Sequence, residues 1–231
     1  MIVNGLQKLT LLDFPGVVAC TLFTAGCDFR CPFCHNASLV YRDEGLERYS
    51  EEDILGFLRK RQGVLEGVAI TGGEPLLNSD LAGFMKKIRS LGYKIKLDTN
   101  GSYPERLREI IEQGLADKVA MDIKNSKEKY GVTIGIPDYD ISPVEESVNL
   151  LLNSGIDYEF RTTVTKNFHE NEDFEKIGEW IKGAKAYFLQ NFVDSGELID
   201  GSVEGVSPET MSGYLETVKK YIPAAQLRGI D

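Results

Sequence analysis

The sequence is poor in cysteine and in positive charge, and it has no long hydrophobic run. Its 231 residues include four cysteines, Cys20, Cys27, Cys31 and Cys34, and none beyond them. So few, packed so closely, do not make a disulfide framework for a chain of this size. Lysine and arginine number 26 against 36 aspartates and glutamates, a net charge of −10. Such a chain lacks the basic footprint that nucleic-acid binders use to displace counterions, and it suits an anionic membrane surface no better. No run of about 18 apolar residues is present, so no transmembrane helix is expected. The opening MIVNGLQKLTLLDFPGVV has no basic stretch leading into a long apolar core, as a secretory signal would. A reducing cytoplasm is therefore the expected compartment, where thiols stay available as metal ligands. The apolar fraction of 42% is ordinary for a globular chain and argues against disorder.

Strand and helix patterns alternate along the chain. Strand-like runs fall at 17–23, 67–71, 93–98, 117–123, 157–164, 186–190 and 225–228. Between them lie helical patterns: one opening at Ser50 and stopping near Gly63, then about 79–91, 104–114, 142–153, 171–182 and 207–222. Regular alternation predicts parallel strands joined by crossovers, hence an α/β fold. Several of the strands are continuously apolar, as when both sheet faces are covered. The count suits a six-unit partial barrel, with an open doubly wound sheet as the alternative. One domain spanning 1–231 is expected. Residues 191–206, rich in glycine and acid, read as a long mobile loop.

The segment GCDFRCPFCHN places Cys27, Cys31 and Cys34 in a C-x3-C-x2-C pattern just after the first strand. Three thiolates on one short loop can wrap a soft metal centre. A four-iron cluster held this way keeps one iron without a protein thiolate, and an open position permits chemistry where a closed site does not. His35 adjoins Cys34, so a three-Cys, one-His zinc site is the competing reading, although zinc sites favour two separated ligand pairs. Cys20 lies in the apolar strand pattern and reads as a small buried hydrophobe.

Other residues sit where predicted strands end. Gly72-Gly73-Glu74-Pro75 follows the second strand; its glycines permit close approach of backbone to a ligand, and Glu74 can accept a hydrogen bond. Asp98, Thr99 and Asn100 close the third strand, and Asp122 with Lys124 closes the fourth. These polar ends are either solvated or a site for a hard cation. Arg161 lies on the fifth strand and Gln190 ends the sixth. His169, in the polar stretch KNFHENED, reads as solvated. If the strands are parallel, the flagged groups gather at strand C-terminal ends, where α/β folds place their sites.

C-x3-C-x2-C with Phe33 before the last cysteine resembles the signature of the radical S-adenosylmethionine (SAM) enzymes. The motifs GLQK, LDFPG, GC-x3-C-x2-CHN, GGEP, LDTNG, MDIK and RTTV then occur in the order found in glycyl-radical-enzyme activating proteins. The start GLQKLTLLDFPG is most similar to activators of anaerobic ribonucleoside-triphosphate reductase, and pyruvate formate-lyase activating enzymes share the later motifs.

The resemblance implies a partial (βα)6 parallel barrel and a [4Fe–4S] cluster on Cys27, Cys31 and Cys34. It implies S-adenosylmethionine bound by Phe33, His35, Gly72, Gly73, Glu74, Lys124, Arg161 and Gln190. A monovalent cation on Asp98, Thr99, Ala120 and Asp122 is a further implication. The implied reaction transfers a hydrogen atom from a glycine of a partner glycyl radical enzyme, after reduction by a donor such as flavodoxin or ferredoxin. No nucleic acid and no membrane enters. A small-molecule radical SAM enzyme, such as one resembling 7-carboxy-7-deazaguanine synthase, is an alternative. A non-enzymatic iron–sulfur or zinc module is another, from a different class.

Overall fold

The computed structural model describes residues 1–42, 44–194, 196 and 198–229. The fold is α/β with a mostly parallel sheet. Two compact units are distinguished: Met1–Asp28 with Ser38–Ala120, and Phe29–Ala37 with Met121–Asp231. Among the described residues, no helix is long and apolar enough to cross a membrane.

The first unit contains strands β1 (Ile2–Val3), β2 (Gly5–Thr10), β3 (Ala19–Thr24), β4 (Tyr49–Ser50), β5 (Gly67–Gly72) and β6 (Lys94–Thr99). It also contains helices α2 (Glu51–Arg61), α3 (Leu81–Ser90) and α4 (Pro104–Glu112), and most of the short α1 (Ala37–Tyr41). Its main strands pair in the order β2-β3-β5-β6, with β2 antiparallel and the rest parallel. The core lies where β3, β5 and β6 are covered by helices: Cys20, Leu22, Val68, Ile70, Ile95 and Leu97 are all fully buried. Helix α2 starts at Ser50 because Ser50 and Asp53 form a capping box, each side chain accepting from the other's backbone N–H at 3.2 and 2.8 Å. Such a cap contributes about 1 kcal/mol. Helix α3 buries Leu81, Phe84, Met85 and Ile88, the i, i+3, i+4, i+7 stripe of a half-buried helix. Strand β2 was not among the expected strands. Only one residue of it, Thr10, is buried, so an edge strand of this kind carries little apolar alternation to detect.

Strand β7 (Lys118–Asp122) carries the chain into the second unit, which holds α5 (Tyr130–Thr133), α6 (Ser142–Asn153), β8 (Asp157–Val164), α7 (Asn171–Trp180), β9 (Tyr187–Asn191), α8 (Pro208–Lys219) and β10 (Gln226–Arg228). Strands β8, β9 and β10 are parallel neighbours. Just past β7, the Ile123 amide donates to the Arg161 carbonyl of β8 at 2.8 Å. Helix α7 turns Phe174 and Ile177 inward, as its pattern predicts. Ser207 caps α8, its hydroxyl accepting from the Thr210 amide at 3.3 Å.

Two expectations are corrected here. His169 is buried, at 2% exposure, rather than solvated. Its Nδ1 accepts from the Thr165 amide at 3.2 Å, its Nε2–H donates to the Lys124 carbonyl at 2.9 Å, and its ring stacks on Phe174. Both ring nitrogens are satisfied by backbone, which removes the main cost of burying them. Burial lowers its pKa, so the ring stays neutral. The loop 191–206 is anchored rather than mobile in its described residues. Phe192 and Val203 are buried, Asn191 bonds both backbone groups of Val206, and Glu204 is tied to Lys166 through backbone and side chain. Residues 195 and 197 of that loop lie outside the described residues.

Candidate functional site

No disulfide involves any of the four cysteines. In the second unit, Cys31 and Cys34 share one tight turn, closed by the Cys34 amide donating to the Cys31 carbonyl at 3.0 Å. Phe33 between them is buried and packs against Phe168, while His35 stacks on Phe192 with ring centroids 5.2 Å apart. Burial pushes the Cys31 thiol up to about 12, against the opposing positive charge of Lys124. Burial and the same lysine lower the pKa of His35. Lys124 is itself held by Asp122 at 2.8 Å, and Arg161 Nε reaches the other oxygen of Asp122 at 2.5 Å. Burial works against the charge on Asp122, but Arg161 and Lys124 overcome it and hold the carboxyl well below the usual range. Lys124 is likewise kept charged against burial by Asp122 and Cys31. The unit thus sets a fixed ammonium beside a turn carrying two thiols.

In the first unit the loop after β5 closes onto the loop after β3. The Gly73 amide donates to the Thr24 carbonyl and the Glu74 amide to the Gly26 carbonyl, both at 2.8 Å. A Cβ on Gly73 would stand 2.1 Å from the Gly26 carbonyl oxygen and 3.3 Å from the Cys27 Cβ, so only glycine permits this approach. Gly72 has φ 127°, again a glycine conformation. Glu74 is fully buried. Its carboxylate accepts from the Leu76 amide at 2.9 Å, the Thr99 hydroxyl at 2.8 Å and the Asn100 amide at 2.7 Å. Burial pushes its pKa up to about 8, against those three donors. Asn100 in turn donates through its side chain to Asp28 at 2.9 Å and to the Cys27 sulfur at 3.8 Å. Asn100, which the sequence placed at the end of the third strand without a role of its own, belongs to this cluster. Its signal was its place in LDTNG, one residue beyond the strand end.

The structure therefore groups Cys27 with Gly73, Glu74, Thr99 and Asn100 in one unit, and Cys31 and Cys34 with Asp122, Lys124 and Arg161 in the other. Ala120 is buried on β7, and Gln190 is exposed on β9. Asp98 is ion-paired with Lys96, and the Thr99 oxygen, besides donating to Glu74, accepts from the Gly101 amide at 3.1 Å. Among the described residues, no three His, Cys, Asp or Glu side chains converge on a single-ion metal site.

The sequence matches the Radical SAM superfamily over residues 21–181, a stretch that includes the cysteine turn, the GGEP loop and both aspartate strand ends. The chain belongs to this superfamily. It is 28% identical over 200 residues to a candidate glycyl-radical enzyme activating enzyme of Methanocaldococcus jannaschii, covering 83% of this chain and 80% of that protein. It is 31% identical over 129 residues to the pyruvate formate-lyase-activating enzyme of Clostridium pasteurianum, covering 53% of this chain and 52% of that enzyme. SuiB of Streptococcus suis superposes with a TM-score of 0.68 over 90% of this chain and 48% of its own; at 17% identity it supports the fold alone.

Membership implies a [4Fe–4S] cluster and S-adenosylmethionine. The chemistry of the cysteines suits the cluster. Three unbridged cysteines offer the soft thiolates that iron–sulfur centres take, and binding iron supplies the deprotonation that a buried Cys31 otherwise resists. The glycine-lined closure at Gly72 and Gly73 keeps backbone close to the cysteine loop.

Proposed function

We propose that this radical SAM protein activates a glycyl radical enzyme by removing a hydrogen atom from a glycine Cα of that partner, and that the partner is anaerobic ribonucleoside-triphosphate reductase. The observation that carries the reading is the similarity to the M. jannaschii protein across most of both chains. The motif order from GLQK to RTTV supports the activase class, and the GLQKLTLLDFPG start supports the reductase as partner.

In this reading Cys27, Cys31 and Cys34 hold the cluster. S-adenosylmethionine would be held by Gly72, Gly73 and Glu74, with Phe33, His35, Lys124, Arg161 and Gln190 as further contacts. When bound, the two supply a 5′-deoxyadenosyl radical on one-electron reduction of the cluster. The chain's own residues supply position and charge. Lys124, fixed by Asp122, presents an ammonium to the cofactor's carboxylate. Phe33, buried against Phe168, holds the cysteine turn in place. Asn100 fixes Cys27 through its sulfur and through Asp28. The electron comes from a flavodoxin- or ferredoxin-type donor in a reducing cytoplasm, and neither nucleic acid nor membrane takes part. Pyruvate formate-lyase as the partner is the second reading, favoured by the C. pasteurianum relative.

Anaerobic reconstitution with iron and sulfide, then reduction with S-adenosylmethionine present, tests this. Formation of 5′-deoxyadenosine is expected, with a glycyl radical detected by electron paramagnetic resonance on added reductase. A radical on pyruvate formate-lyase alone selects the second reading, and 5′-deoxyadenosine without a radical on either overturns the activase assignment. Cys27→Ala, Cys31→Ala and Cys34→Ala are each expected to lose bound iron, and Cys20→Ala to retain it. Loss of iron in Cys20→Ala would overturn the ligand set.

A further inference from the structure

Lys124 lies just past the last residue of β7, where the strand ladder no longer holds it. Asp122 steadies its ammonium at 2.8 Å, but the backbone from which that ammonium projects needs support of its own. The residue before it is tied to β8: the Ile123 amide donates to the Arg161 carbonyl at 2.8 Å, and the Ile123 carbonyl accepts from the Thr162 hydroxyl at 2.6 Å. The Lys124 carbonyl accepts from His169 Nε2–H at 2.9 Å. We propose that His169 is a positioning residue: it fixes the backbone of Lys124, and thereby the place at which the ammonium meets the carboxylate of S-adenosylmethionine.

Histidine suits this place because its two ring nitrogens face different ways. The Thr165 amide donates to Nδ1 at 3.2 Å, so Nδ1 carries no proton and Nε2 carries it. In this tautomer the ring bridges the end of β8 to the end of β7. Packing keeps it from swinging. The ring stacks on Phe174 of α7 with centroids 5.7 Å apart, and Phe174 stacks in turn on Tyr214 of α8 at 4.5 Å. The Tyr214 hydroxyl also donates to the His169 carbonyl at 3.2 Å. Two helices and a strand end therefore bear on His169, and His169 bears on Lys124. The next residue, Asn125, is held separately, through the Thr133 hydroxyl and the Phe168 carbonyl. A charge that is ordered before binding contributes more to affinity than one that must be ordered on binding. The inference deepens the proposed function and rests on its reading of Lys124 as a contact of the cofactor's carboxylate.

Equilibrium dialysis of S-adenosylmethionine against the oxidised, cluster-loaded protein tests it. His169→Phe keeps a ring against Phe174 and removes the N–H, and His169→Gln returns an N–H at similar reach. His169→Phe is expected to raise the Kd about tenfold with iron per chain unchanged, and His169→Gln to recover most of that loss. Lys124→Met should raise the Kd by itself. Adding His169→Phe to it should raise the Kd no further, because the histidine acts through the lysine. Effects that multiply in the double variant would overturn the proposal, since a merely structural histidine weakens binding whatever stands at 124. So would an unchanged Kd in His169→Phe, a His169→Gln no better than His169→Phe, or loss of the cluster or the fold in His169→Phe. Lys124→Met with wild-type affinity would remove the lysine contact, and this inference with it. The activase reading fails on a different measurement: the expected affinities with no glycyl radical on either partner overturn the proposed function and leave His169 in this role.

Discussion

At Glu74, burial and hydrogen bonding pull one carboxyl in opposite directions. Burial raises its pKa from 4.5 to about 8, while the Asn100, Thr99 and Leu76 donors favour the charged form. For an acid with a raised folded-state pKa, the folded chain keeps a proton that the unfolded chain releases. Stability from this group is therefore full below pH 4.5 and declines as pH rises to about 8. Glu74→Gln does not titrate and should flatten that part of the stability profile. The check is the melting temperature of both proteins across this range, and parallel curves would count against the assignment. Gln also turns an N–H toward one of three donors, which costs about 1–3 kcal/mol at any pH. That Glu74 matters was legible in GGEP. That its partners are Thr99 and Asn100 was not, because they lie 25 and 26 residues away, at and just past the end of another strand. His169 shows the same limit more sharply. The stretch around it is mostly polar, but its Nε2–H meets the Lys124 carbonyl, 45 residues away.

The elements were more legible than their contacts. All seven expected strands and all six expected helices are present, because apolar period and end caps are local signals. What joins the elements is less local. The loop after β5 seats against the cysteine loop only because Gly73 has no side chain. Gly73→Ala places a methyl group against the Gly26 carbonyl and must spread the two loops. A drop in reconstituted iron per chain, with the fold retained by circular dichroism, is the expected result. The loop 191–206 now reads as a prop. The Asp200 amide donates to the Pro32 carbonyl at 2.9 Å, between Cys31 and Phe33. Excising residues 194–202 is therefore expected to impair cofactor cleavage and partner activation together. A loss of activation with cleavage intact would instead make the loop a contact for the partner.

For the whole molecule, the charge of −10 remains the simplest constraint. No retardation of duplex DNA in a gel-shift assay at about 0.15 M salt is expected, since binding would require counterion release by a basic surface. Tight, salt-sensitive binding would reveal a local basic face that outweighs the bulk charge. Opposite charges are nevertheless concentrated where the chemistry is placed: Lys124 and Arg161 are both anchored on Asp122. By itself, the sequence determined the cysteine spacing and the α/β alternation. C-x3-C-x2-C and strand period are set by residues a few positions apart, so the chain carries them wherever it folds. Only the tertiary structure decided which charges meet. Asp122 and Arg161 are 39 residues apart, and His169 lies 45 from Lys124. Such pairs are made by strand register and loop closure, and these depend on the packed core as a whole.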